Sequence, residues 1–309
     1  MPTERPSARH VMNRALKTLL ETLDLERIED DIFRGQNEET RWGRLFGGQV
    51  AAQALVAASR TVEGRRAHSL HGYFLRGGDP KVPVVFTVDR IRDGRSFTTR
   101  RVVALQHGRA IFNMSVSFQV REQSFEHQDA MPEVPDPESL PSWEDRAREA
   151  GERIPEPMRT SMLAERPIEL RSREPHSWFA TEPSRGPNPV WVRARGPLGD
   201  DPRIHECLLT YASDMGFVDN IYRPHRRKGP RPVMMASLDH AMWFHRDFRI
   251  DDWLLYMQES PSAAGARGFA RGTFFDRAGR LICSVAQEGL MRRLDPDLAR
   301  DPDSLEPQR

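Results

Sequence analysis

The chain has 309 residues, enough for one large domain or two ordinary ones, and its 38% hydrophobic and 29% charged residues suit a globular protein with a sizeable core. Lys and Arg number 46 against 45 Asp and Glu, a net charge of +1 that argues against a dedicated nucleic-acid binder. No stretch approaches the ~20 apolar residues of a membrane-spanning helix, no secretory apolar run follows the start, and Pro307-Gln308-Arg309 is not a peroxisomal Ser-Lys-Leu address. The two cysteines, Cys207 and Cys283, have neither metal-ligand spacing nor the number for a disulfide framework, so a reducing cytoplasm is expected, with no membrane or nucleic-acid partner.

Apolar residues at helical spacing over 11–30 (Leu16, Leu19, Leu20, Leu23, Leu25 and Ile28 among them) predict a first helix. After Leu45-Phe46-Gly47-Gly48-Gln49, the alanine-rich stretch 50–59 predicts a helix buried on most of its circumference. The period then switches to two. Residues 82–91, 96–105 and 109–120 read as strands joined by turns at Asp93-Gly94 and His107-Gly108. Phe112, Met114, Val116 and Phe118 face one way along the last of these.

Residues 121–165 are rich in proline and acidic side chains and predict an exposed connection, with a short helix around 143–152. A strand at 190–194 follows. Asp201-Pro202 opens a helix running to about Phe217. A polar loop over 220–232 leads to 233–244, then 251–259, and a final hairpin spans 268–292. The order of the first half thus returns in the second. His68-Ser69-Leu70-His71 matches Ala236-Ser237-Leu238-Asp239, and Gly108-Arg109-Ala110-Ile111 matches Gly279-Arg280-Leu281-Ile282. The fold class expected is α+β, two tandem modules in which a long antiparallel sheet wraps a helix, with the sheets edge to edge. The boundaries expected are 1–122, a linker at 123–165, 166–295, and a tail at 296–309.

Where the halves differ, chemistry has a place to enter. Gln287 stands on an apolar strand face where the first half has Val116, and a buried amide must find partners; a strand-end glutamine reaching solvent is the alternative. Asp214 lies near the end of a mostly apolar helix, where the macrodipole disfavours a carboxylate by about 0.3–1 kcal/mol. Apolar surroundings would raise its pKa and make it a better base; an exposed helix-end Asp is the alternative. Ser237, matched by Ser69, says nothing alone. Gly-x-Ser-x-Gly, His-Glu-x-x-His, paired Cys-x-x-Cys and Gly-x-Gly-x-x-Gly are all missing. The histidines at 240–245 alternate with Met242 and Phe244 and read as a packed strand, so no metal and no cofactor are expected. The basic cluster Arg226, Arg227 and Lys228 reads first as a solvated loop and second as a contact for phosphates.

Phe46-Gly47-Gly48-Gln49-Val50, Tyr211-Ala212-Ser213-Asp214, Ser237-Leu238-Asp239-His240-Ala241-Met242-Trp243-Phe244-His245 and Gln287-Glu288-Gly289 together resemble the acyl-CoA thioesterase II family. Leu25-Glu26-Arg27-Ile28-Glu29-Asp30 and Ala266-Arg267-Gly268 fit the same pattern, so the resemblance covers nearly the whole chain apart from the linker and the tail. It implies the double hot-dog fold and hydrolysis of medium- to long-chain acyl-CoA to fatty acid and coenzyme A. It also implies a homo-oligomer, dimer or tetramer. The family's catalytic Asp and Gln fall on Asp214 and Gln287, and its Thr position is Ser237, which keeps the hydroxyl but loses the methyl that holds its rotamer. Gly47, Gly48 and Gln49 form a turn where backbone approaches a substrate closely. A non-catalytic acyl-CoA binding or sensing protein on the same fold is the alternative.

Overall fold

The computed structural model describes residues 11–38, 43–154, 156, 158–174, 180, 182–226 and 233–294. The first half runs α1 (Arg14–Leu23), β1 (Glu26–Glu29), β2 (Ile32–Gly35), α2 (Gly47–Ser59), β3 (Arg66–Phe74), β4 (Val84–Asp93), β5 (Phe97–Gln106) and β6 (Arg109–Gln119). Two short helices follow, α3 (Trp143–Ala150) and α4 (Met158–Leu163). The second half runs β7 (Ile168–Ser172), β8 (Asn188–Ala194), α5 (Pro202–Ser213), β9 (Val233–Ser237), β10 (Asp239–Phe244), β11 (Leu254–Ala264), β12 (Arg267–Asp276) and β13 (Leu281–Arg293).

Local chemistry starts and stops these elements. Asn13 caps α1 by accepting from the Leu16 N–H at 2.8 Å, and Asp201 caps α5 with Pro202 in its first turn. His107 and Gly108 both take positive φ (49° and 71°), the backbone that a two-residue hairpin between β5 and β6 requires.

All the strands join one antiparallel sheet in the order β1-β2-β4-β5-β6-β3-β10-β13-β12-β11-β8-β7, with β9 also on β13. Read from either end the order is a near palindrome, as a duplicated unit joined edge to edge must be. The seam is the β3–β10 pair, where His71 faces Ala241. It protects two edges that each half would otherwise leave open. Helices α2 and α5 pack on each other and on the sheet. Leu55 and Leu209 meet Phe86, Phe112, Met242 and Phe274 in one continuous core.

Three expectations are corrected. The first helix ends at Leu23, and 26–29 form a strand whose four residues are all exposed, so no alternation marks it. Helix α5 ends at Ser213 with Asp214 as its C-cap, short of Phe217. The connection over 121–165 is exposed only in part. Its Met131, Val134 and Leu140 cover Trp191, Trp253, Leu255 and Phe275, the Trp191 indole donates to the Pro135 carbonyl at 2.9 Å, and Ser142 and Asp145 form a capping box on α3. The cause lies in the second half: Leu254, Leu255 and Tyr256 are buried consecutively on β11, so both faces of the sheet need a cover.

Candidate active site

Helices α2 and α5 run antiparallel, so the start of α2 meets the end of α5. A Cβ on Gly47 would stand 2.8 Å from Asp214 Oδ2 and 2.9 Å from the Phe74 ring; one on Gly48 would stand 2.5 Å from the Tyr211 carbonyl oxygen. Only glycine lets the two helix ends approach this closely. The Gly48 N–H then donates to the Asp214 carboxylate. The positive end of α2 thereby offsets the unfavourable position of a carboxylate at the end of α5.

Asp214 is 7% exposed, and burial is the main force raising its pKa above the ordinary aspartate value. The charge of His240 and hydrogen bonds from Gln287, Gly48 and Ser237 pull the other way without overcoming it. Gln287, 1% exposed on β13, donates from Nε2 to Asp214 Oδ1 at 3.1 Å and to Ser237 Oγ at 2.6 Å. Ser237 Oγ lies a longer 3.4 Å from Asp214 Oδ1. Side chains from α5, β9 and β13 thus converge on one point, with the start of α2 closing the fourth side.

This point adjoins a cleft of about 360 Å³ that includes Gly47 and Ser237. Its walls are apolar (Leu45, Val50, Phe74, Ile111, Phe112, Met235), and Arg44 and Arg76 stand exposed on its rim.

The other candidate residues lie elsewhere. Gln49 is buried with its side chain turned to Asn37 and to the Glu38 N–H, so it holds the 36–38 segment and does not reach the cleft. Arg226 is no solvated loop residue: it is 5% exposed, with Glu174 and Asp219 at 3.8 and 3.7 Å, and it is not among the residues lining this cleft. Arg227 and Lys228 lie outside the described residues. Among the described residues no group of three His, Cys, Asp or Glu side chains could hold a metal, and no helix is long and apolar enough to cross a membrane.

Two contacts are not legible in the sequence. Gly48 stands out there as a close backbone approach, but the donation of its N–H to Asp214 is invisible without the crossing of two helices distant in sequence. His240 reads there as a packed strand residue. It is 1% exposed and touches Gln287 Oε1 through Nδ1 at 2.9 Å.

Comparison with known proteins agrees with this architecture. A family model described as acyl-CoA thioesterase matches residues 157–290, and one described as acyl-CoA thioesterase N-terminal domain matches 38–119. Acyl-CoA thioesterase 2 of Haemophilus influenzae is 38% identical over 91% of this chain and 99% of its own length. Human acyl-coenzyme A thioesterase 8 is 41% identical over 90% of each. The solved structure of an acyl-CoA thioesterase II from Mycobacterium marinum superposes with a TM-score of 0.73 at 44% identity, covering 89% of this chain and 98% of that one. A hot-dog protein from Alicyclobacillus acidocaldarius, 20% identical with a TM-score of 0.71 over 90% of this chain and 99% of its own, shares the fold. Duplicated helix-and-sheet units, matches that cover both, and relatives alike along nearly their whole length lead to one conclusion: the chain belongs to the acyl-CoA thioesterase II family of thioester hydrolases.

Proposed function

We propose that the protein hydrolyses medium- to long-chain fatty acyl-CoA to the free fatty acid and coenzyme A, and that Asp214, Ser237 and Gln287 carry the reaction. The observation that supports this reading above all is the single amide, Gln287 Nε2, donating to both the buried carboxylate and the hydroxyl. Such a group orients the lone pairs of its partners and leaves them free to hold one water.

In this reading Asp214 accepts a proton from the water as the water oxygen bonds to the thioester carbon. The tetrahedral species then breaks its carbon–sulfur bond, and the thiolate leaves and takes up a proton. Burial suits the base, because a carboxylate with a raised pKa takes a proton more readily. No side chain forms a bond to the acyl group. The Gly48 N–H, one of those the first turn of α2 could offer to a developing oxyanion, is directed at Asp214 instead. The apolar cleft walls suit an acyl chain, and Arg44 and Arg76 on the rim suit the phosphates of the carrier.

The test is release of free thiol from decanoyl-CoA and palmitoyl-CoA, read with a thiol reagent. The native chain releases thiol, and Asp214→Ala abolishes release while circular dichroism stays unchanged. Equal rates in the two proteins refute the base. A native chain that binds acyl-CoA without releasing thiol refutes the enzyme.

A further inference from the structure

The geometry points to His240 as a positioning residue: its Nδ1–H holds Gln287 in the amide orientation that serves Asp214 and Ser237. This rests on the hydrolase reading and deepens it.

The backbone shows how His240 reaches the site. Ser237 and His240 are three residues apart, and in a regular strand an odd separation sends side chains to opposite faces. Here β9 pairs Ser237 with Gly289, while β10 pairs Ala241 with Ala286. Four residues' advance on one side therefore opposes three on the other, a one-residue bulge. The extra residue turns both side chains to the same face, and both contact Gln287, at Nε2 and at Oε1 respectively.

Proton bookkeeping then assigns the roles. Gln287 Nε2 faces two acceptors, a carboxylate oxygen and a hydroxyl oxygen, so its Oε1 must face the imidazole. A carbonyl oxygen only accepts, so Nδ1 carries a hydrogen in either protonation state of the ring. The far nitrogen, Nε2, lies 2.8 Å from Ser213 Oγ, whose hydroxyl is also 2.9 Å from the Thr210 carbonyl. A serine hydroxyl can serve as donor or acceptor, so Ser213 satisfies Nε2 whether or not it carries a proton. The ring is further boxed in by Phe217, edge-on at 6.3 Å between centroids.

Without the donor at Nδ1, a buried carbonyl oxygen is left unsatisfied, and the amide gains from turning Oε1 elsewhere. That rotation removes the hydrogen bonds to Asp214 and Ser237 together. His240 is not among the residues lining the cleft, so its loss acts on the site through Gln287 and leaves substrate affinity alone.

The test compares steady-state kinetics of the full chain on decanoyl-CoA. His240→Leu lowers kcat by about tenfold or more with KM within about twofold, the pattern of an interaction made only in the transition state. His240→Asn, whose amide nitrogen overlays Nδ1, recovers several-fold over Leu, whereas His240→Gln, which places its amide nitrogen near the other ring position, does not. His240→Leu added to Gln287→Ala costs little more than Gln287→Ala alone, because the two act as a unit. A kcat for His240→Leu equal to native, an Asn variant no better than Gln, or losses that multiply in the double variant each overturn the proposal. If the Leu variant does not fold, the Asn and Gln comparison decides by itself. A native chain that releases no thiol sinks the hydrolase reading and an active Asp214→Ala protein sinks the base, whereas an inactive Asp214→Ala beside a fully active His240→Leu sinks only the positioning role.

Discussion

Asp214 is a carboxylate held where its charge is disfavoured, and its titration should show it. Its pKa in the folded chain is raised by burial, so the acid limb of kcat/KM lies above the ordinary aspartate range. The same shift has a sign in stability. Because the folded pKa exceeds the unfolded one, ionisation costs stability above the folded pKa, and the cost fades as pH falls toward the unfolded value. The melting temperature of Asp214→Asn relative to native is therefore higher well above the ordinary aspartate range than near it, which thermal melts at pH 8 and pH 4 check. Ser237 is the other residue with a graded prediction. Removal of its hydroxyl in Ser237→Ala takes away a partner of Gln287 Nε2 and lowers kcat about tenfold or more with KM little changed. Ser237→Thr keeps that hydroxyl, adds the methyl that limits its rotamers, and stays within about threefold of native kcat.

At the scale of elements, the meeting of two helix ends decides the site. The packing of α2 on α5 brings an N–H donor to Asp214 only because Gly48 has no Cβ to strike the Tyr211 carbonyl 2.5 Å away. Gly48→Ala forces the helices apart. An overpacked contact costs about 1–3 kcal/mol, read by denaturant midpoint, and kcat falls beyond what lost stability explains, since the N–H leaves the carboxylate. Charge on the cleft rim acts on binding instead. Arg44→Ala combined with Arg76→Ala raises KM for acyl-CoA about tenfold, roughly 1.4 kcal/mol, with kcat little changed. The linker shows the same dependence on context: its prolines and acidic residues read as exposed, yet its few apolar residues are called to cover β8, β11 and β12.

At the scale of the whole molecule, neither half holds the site alone. The carboxylate, hydroxyl and amide belong to the second half, while Gly47, Gly48 and Phe74 come from the first. Residues 123–309 expressed by themselves should release no thiol from acyl-CoA, even where circular dichroism shows them folded. The halves are also tied by Arg66 on β3 and Glu206 on α5, with Arg66 Nη2 to Oε1 at 2.7 Å. Burial outweighs this partner and pushes the Glu206 carboxyl up to about 7, so the seam loses stability as pH rises through about 7.

The sequence by itself determined the duplicated helix-then-meander order, the hairpins and the inward face of the last strand, because period-two and period-3.6 patterns are local and survive in one dimension. It also singled out Gln287, a polar residue standing where the other half is apolar, and Asp214, a carboxylate near the end of a mostly apolar helix. It could not disclose β1, whose four exposed residues carry no alternation, nor β2, whose four residues bury Phe33 and Gly35 in too short a run to mark a strand, nor the packed stretches of the linker. Tertiary structure alone decided that the start of α2 meets the end of α5, that a one-residue bulge puts Ser237 and His240 on one face, and that Arg226 turns inward to carboxylates. Each of these depends on a contact between segments far apart in the chain, where approach distance and register, rather than residue type, set what a side chain can touch.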